Sequence, residues 1–303
     1  MNGCRWTVAG DVWYHLSEET KGYPNMRNIK IVADSSANLQ ELNSVPFGVA
    51  PLKIITDGRE FVDDSRLDLD EMIKYFRSYK SKSHTSCPNP EDWMGAFGDA
   101  EEVYCVAITS GLSGSFNAAC VAKNLYEQAH PDRRVYVIDS LSAGPELTLI
   151  VEKIAELIAE GKTYEQICQI MPDYTSKTGL LFMLESLSNF AANGRVSPAV
   201  AKIANVLGIR IVGKASDEGT LEPTDKCRGA EKSLAAILKR LKESGLKNGK
   251  VHLAHCLNEP AAMQLKKMIE AELPEATVTI GINLGLCSYY AEKGGLLVGY
   301  EKF

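Results

Sequence analysis

Val103-Tyr104-Cys105-Val106-Ala107-Ile108, then Thr109-Ser110-Gly111-Leu112-Ser113-Gly114-Ser115, then Phe116 onward, is the stretch whose reading decides the fold. An uninterrupted apolar run of this length reads as a strand buried on both faces, the kind found in parallel sheets. The glycines and hydroxyls behind it mark a loop, and helical spacing resumes from about Phe116 to Gln128. Strand, hydroxyl-rich loop and helix make one βα unit, and related units stand on either side.

Upstream, Ile29 to Ala33 reads as a strand ending in Asp34-Ser35-Ser36, and Pro46 to Ile55 as a second extended segment. Leu69, Met72, Ile73 and Phe76 fall at helical spacing within Leu67 to Tyr79. Ser83 to Pro90 reads as a polar loop punctuated by proline, with Pro90 and Glu91 suited to the first turn of another helix. Downstream, a strand at Val135 to Ile138 ends in Asp139-Ser140 and precedes a helix near Glu146 to Ala159. Strands near Gly179 to Leu184, Ile209 to Gly213, Lys250 to His255, Thr277 to Ile280 and Leu296 to Tyr300 follow. Helices near Ala230 to Lys242 and Glu259 to Ala271 lie among them. This alternation predicts an α/β fold around mostly parallel sheet. A chain of 303 residues is long enough for two such domains. The expected division is 28–165 and 166–303. Residues 1–27 lack strand or helix periodicity and read as an N-terminal extension, with Met26 as the alternative start and an ordered arm as the other reading.

With 33 basic against 39 acidic residues the net charge is -6, which argues against a broad nucleic-acid surface. An anionic membrane would attract such a chain weakly, so membrane contact is expected to be transient at most. The eight cysteines form no CxxC pair and read as reduced thiols packed as small hydrophobes. The N-terminal stretch has no apolar run long enough for a secretory signal or a membrane span, so a cytoplasmic location is expected. Asp63, Asp64, Asp68 and Asp70 gather at a predicted helix start, where carboxylates favour the dipole, and read as a solvated terminus rather than a metal site.

Ligands of open α/β sheets collect at the carboxyl ends of strands. The loops there carry Asp34-Ser35-Ser36, Ser110 to Ser115 and Asp139 to Gly144, and Thr85-Ser86-Cys87-Pro88 adds a fourth. Gly111 and Gly114 allow a tight turn into the helix, whose unpaired N–H groups and hydroxyls suit a carboxylate or phosphate. Ser113 or Ser115 as a plain N-cap is the structural alternative. A hydrolase or phosphotransferase using Ser113 or Asp34 is a second reading. It lacks the G-x-S-x-G elbow, since Ser115 holds the fifth position, and no histidine stands out as a base. A binding protein for a small polar anion is a third. Walker and G-x-G-x-x-G nucleotide signatures are absent.

Taken in order, Ile31-Val32-Ala33-Asp34-Ser35-Ser36, Thr85-Ser86-Cys87-Pro88, Ser110-Gly111-Leu112-Ser113-Gly114-Ser115-Phe116, Val137-Ile138-Asp139-Ser140 and Gly194-Arg195-Val196-Ser197 resemble the DegV family. The resemblance runs from about Lys30 to the C-terminus. It implies two α/β domains enclosing an acyl-chain tunnel, with a fatty-acid carboxylate at the domain interface held by Thr85 and Ser113. Ser86, Gly114 and Ser115 would line the same pocket, and Arg195 matches the arginine of the family's G-R-[IV]-S loop. It further implies a carrier without chemistry of its own and without cofactor, presenting its fatty acid to a separate kinase. The family's His-Thr-Gly-Pro-Gly loop is missing here, and Ser288 or Tyr289 is expected to replace its histidine. Leu181, Phe182, Met183, Leu184, Leu187, Phe190, Ile203 and Leu207 are candidate tunnel lining, with ordinary core as the alternative.

Overall fold

A computed structural model describes residues 28–79, 81–197 and 208–303. The N-terminal extension and the candidate lining residues Ile203 and Leu207 lie outside them.

The first lobe begins with β1 (Ile29–Asp34), β2 (Phe47–Ala50), β3 (Lys53–Thr56), β4 (Glu60–Val62), α1 (Leu69–Ser78), β5 (Ser83–Ser86) and α2 (Pro90–Phe97). It continues through β6 (Glu102–Ala107), α3 (Ser115–Ala129), β7 (Arg134–Asp139), α4 (Pro145–Ala159) and α5 (Tyr164–Ser176). Four of these strands form a wholly parallel sheet in the order β2-β1-β6-β7. Every residue of β6 is buried, because side chains alternate between two covered faces. Val103 and Cys105 meet Trp93, Phe97, Ala119 and Tyr126 of α2 and α3. Tyr104 and Val106 meet Ile150, Ile154, Ile167 and Met171 of α4 and α5.

Two expectations fail in this lobe. The extended segment Pro46 to Ile55 is two strands, because the chain leaves the parallel sheet after Ala50 and β3 enters a separate antiparallel sheet in the order β4-β3-β5. The stretch Ser83 to Ser86, expected as loop, is the edge strand β5 of that sheet. Its serines and threonine look polar in sequence, yet backbone pairing of Thr85 with Ile54 makes it a strand.

The second lobe runs β8 (Thr178–Leu184), α6 (Ser188–Ala192), β9 (Ile209–Ala215), β10 (Leu221–Arg228), α7 (Ala230–Glu243), β11 (Lys250–His255), α8 (Glu259–Glu272), β12 (Thr277–Ile282), α9 (Gly285–Ala291) and β13 (Leu296–Glu301). Its sheet has the order β10-β9-β8-β13-β11-β12, and only β11 and β12 pair in parallel. The expectation of mostly parallel sheet therefore holds for the first lobe alone. Strand β10, LEPTDKCR, was not expected, since it is an exposed edge strand without alternation of apolar residues. One face of this sheet packs Leu181, Met183, Val212 and Leu253 against Leu234, Ile237 and Leu265 of α7 and α8. The other face gathers Leu180, Phe182, Leu184 and Leu297 with Cys287 of α9.

The division expected near residue 165 falls at the start of α5. That helix buries Ile167, Met171 and Tyr174 in the first lobe's core, and the second sheet begins at Thr178. We therefore propose a boundary close to Lys177.

Helix α4 joins the lobes. A Cβ on Gly299 of β13 would stand 2.5 Å from the backbone of Pro145 and Glu146, so the start of α4 rests directly on that strand. Gly299→Ala should destabilise the protein by about 1–3 kcal/mol, the usual cost of overpacking. Urea denaturation checks this, and an unchanged midpoint would mean that the lobes can part there without penalty.

Candidate functional site

Two carboxyl-end loops of the first sheet, those after β1 and β6, are drawn together by one carboxylate. Asp34, at the end of β1, is 1% exposed. Its Oδ2 accepts from Ser115 Oγ at 2.6 Å and from Ile108 N at 2.8 Å, while Oδ1 accepts from Ser36 N at 3.2 Å and Ser36 Oγ at 2.5 Å. Burial pushes the Asp34 carboxyl above its ordinary pKa, and these hydrogen bonds oppose the shift. Asp34 is thus a buried anchor and no nucleophile. Ser115 is spent on it, fully buried, and does not line the pocket as the resemblance implied.

A second carboxylate joins the lobes. Asp63, also 1% exposed, accepts from Gly285 N at 2.9 Å and Leu286 N at 2.8 Å, the first two amides of α9. The sequence placed Asp63 in a solvated acidic helix start; instead, only its neighbour Asp68 caps α1, accepting from Glu71 N at 2.8 Å. Asn38 supports the same junction, donating to Asn283 Oδ1 at 3.0 Å and accepting from Leu284 N at 3.0 Å.

Between the lobes lies a cavity of about 320 Å³. Leu180, Phe182, Leu184, Phe190, Leu221 and Leu297 form much of its wall on the second-lobe side. Expected lining residues Leu181 and Met183 point the other way into the core beneath α7 and α8, as strand alternation requires. Leu187 is buried beside the wall without lining it.

Thr85, Ser86, Ser113, Gly114 and Arg195 all line the cavity, so the two hydroxyl loops and the Gly194-Arg195 loop do converge. Thr85 sits on β5, its N–H donating to Asn193 Oδ1 at 3.1 Å across the lobes. Ser86 Oγ donates to Cys87 O at 3.3 Å. Gly114, not a serine, is the N-cap of α3. Ser113 Oγ accepts from Ser115 N at 3.2 Å, which leaves its O–H hydrogen available to donate. Arg195 donates from Nε to Leu112 O at 3.1 Å and from Nη1 to Asn193 O, so its guanidinium is held in place by carbonyls.

Ser288 was expected at the head group, but it is buried and donates to Asn283 O at 2.6 Å. Tyr289, the other expected substitute, bonds Ser83 Oγ at 2.8 Å and accepts from Asn193 Nδ2 at 3.0 Å. The residue that reaches the cavity is Tyr290, whose hydroxyl lies 2.7 Å from Thr85 Oγ1. Sequence reasoning missed it because neighbouring residues on a short helix differ only in direction. Leu286, Cys287, Tyr290 and Ala291 all line the cavity, a one-and-four spacing that marks one helix face. Cys287 is a buried thiol whose pKa burial raises, with Asp63 and Asp34 adding to the effect.

No histidine, aspartate or glutamate occurs among the described lining residues. Among the described residues, then, no histidine or carboxylate lines the cavity with Ser113 to serve as its base, and the hydrolase reading gains no support there. No group of three or more metal-ligating side chains occurs among the described residues, and no described helix is long and apolar enough to cross a membrane.

The family model for DegV matches residues 28–298. The chain belongs to the DegV family. A DegV domain-containing protein of Streptococcus pneumoniae is 42% identical over 276 residues, covering 90% of this chain and 98% of that relative. A solved DegV family protein from Eubacterium eligens, loaded with heptadecanoic acid, matches with a TM-score of 0.89 at 41% identity, covering 91% of this chain and all of that one. The Streptococcus pneumoniae fatty acid kinase B3 protein, loaded with linoleic acid, matches with the same score, identity and coverage.

Burial dominates at Asp63 and raises its pKa from 3.8 to about 6, against the lowering effect of the Leu286, Ser35 and Gly285 hydrogen bonds. A carboxyl raised on folding contributes stability below about pH 4 that is lost as pH rises through about 6. Asp63→Asn should abolish that slope, so wild type should lose on the order of 3 kcal/mol relative to the variant between pH 4 and pH 7. Urea unfolding of both proteins across this range reads the difference, and parallel stability curves would refute the assignment.

Proposed function

We propose that this protein binds a long-chain fatty acid in the cavity between its lobes, with the carboxylate gripped by Thr85 and Ser113 and the chain lying against the second sheet. One observation carries the reading: hydroxyls and the Arg195 cation share a cavity with a leucine- and phenylalanine-rich wall and no described acidic side chain. Such a lining matches a molecule that is anionic at one end and apolar along its length. The fatty acids with which the two solved DegV structures are loaded support the same ligand class. A small polar anion fits less well, because it would leave Leu180, Phe182, Leu184 and Leu221 facing an unfilled apolar space.

The acyl chain supplies most of the affinity. Each buried methylene is worth about 0.8 kcal/mol, so a long chain gains on the order of 10 kcal/mol before ordering costs. A hydrogen bond to the carboxylate nets about 1.5–3 kcal/mol. The wall therefore decides how tightly the lipid is held, and the hydroxyls decide which end faces them. We further propose that the protein is a cytoplasmic carrier without chemistry of its own, presenting its fatty acid to a separate kinase. The name of the pneumococcal neighbour supports that partner. Ser86 and Gly114 would complete the head-group pocket, with Arg195 as its cation.

Thr85→Ala/Ser113→Ala should fold normally yet bind hexadecanoate at least tenfold more weakly, as expected when one or more charge-assisted hydrogen bonds are lost. Lipid extraction from the purified protein and native mass spectrometry of both forms test this. Identical fatty-acid recovery and affinity would remove Thr85 and Ser113 from the site.

A further inference from the structure

We propose that Tyr290 is a positioning residue for the head group, fixing the direction in which the Thr85 hydroxyl donates. The inference rests on the fatty-acid reading and deepens it. Tyr290 and Thr85 both line the cavity, and their hydroxyl oxygens lie 2.7 Å apart. Each brings one O–H hydrogen, and the bond between them uses one. One hydrogen is therefore left over, and an unpaired donor in a half-buried site calls for an acceptor.

Both partners are held in place by their surroundings. Thr85 is held on β5 by pairing with Ile54 and by its N–H bond to Asn193. The Tyr290 ring packs on Phe190 with centroids 4.6 Å apart, and on Tyr289 at 5.0 Å. Tyr289 ties its own hydroxyl to Ser83 and Asn193, so the lobes are already joined without Tyr290. Strand alternation gives Ser83 and Thr85 the same face of β5, and consecutive tyrosines of α9 meet them in turn. The phenol is the more acidic of the two hydroxyls and so the better donor. Burial keeps its proton in place, an effect that the Thr85 bond and the Arg195 charge oppose.

With Tyr290 donating to Thr85, the Thr85 hydrogen points at the ligand. A carboxylate accepts and cannot donate, so the chain of hydroxyls has a single direction and each bond polarises the next. A ligand without an acceptor at that end leaves the hydrogen unused.

The test measures binding of hexadecanoate and of hexadecane to wild type, Tyr290→Phe, Thr85→Val and the double variant. Tyr290→Phe should weaken hexadecanoate about tenfold and leave hexadecane within about twofold. The double variant should be no weaker than Thr85→Val alone, because Tyr290 acts through Thr85. Unchanged hexadecanoate affinity in Tyr290→Phe overturns the inference, as does an equal loss for hexadecane, which marks a packing role. Additive losses in the double variant overturn it too, by making Tyr290 independent of Thr85. Wild-type protein that takes up neither ligand sinks the fatty-acid reading, and this inference with it.

Discussion

A carboxylate from one lobe, buried against the first amides of a helix from the other, is the contact on which the cavity depends. Asp63 accepts from Gly285 and Leu286, whose N–H groups have no partner within the helix. The positive end of α9 favours the charge while burial opposes it, and burial has the larger effect. Gly285 is required for the approach, since a Cβ there would stand 2.5 Å from Asp63 Oδ1. Held this way, α9 turns Leu286, Cys287, Tyr290 and Ala291 toward the cavity. The cavity wall on this helix and the Tyr290 hydroxyl therefore inherit their positions from one buried ion.

The hydroxyl-rich loops divide their labour around the other buried acid. Ser36 and Ser115 satisfy Asp34, which brings the end of β1 to the start of α3. Ser35 receives Leu52 N at 3.0 Å, holding the chain where it leaves the parallel sheet. The hydroxyls of Thr85 and Ser113 stay in the cavity lining. Loops that look like uniform ligand-binding serines are thus largely internal scaffolding, because a buried carboxylate must be paired with donors.

What reached the surface of the sequence was the local code. The apolar run Val103 to Ile108 and the glycines behind it specified strand and loop, and α3 followed at Ser115. The ordered motifs also pointed to Thr85, Ser86, Ser113, Gly114 and Arg195, all of which line one cavity. Strand β10 and the edge strand β5 escaped detection because half-exposed strands pair through backbone groups and need no apolar pattern. Their side chains carry little periodic signal.

By itself, then, the sequence determined the α/β class and the family and pointed to a set of loop hydroxyls, some of which line the cavity, because periodicity and turn chemistry act over a few residues. Only the tertiary structure decided which hydroxyls are free. Ser115 is consumed by a carboxylate 81 residues away, Ser288 by the Asn283 carbonyl, and Tyr290 meets a threonine 205 residues distant. A hydrogen bond between such remote groups leaves no mark on local spacing. It exists because packing of α4 on β13 and the burial of Asp63 fix where the two lobes meet.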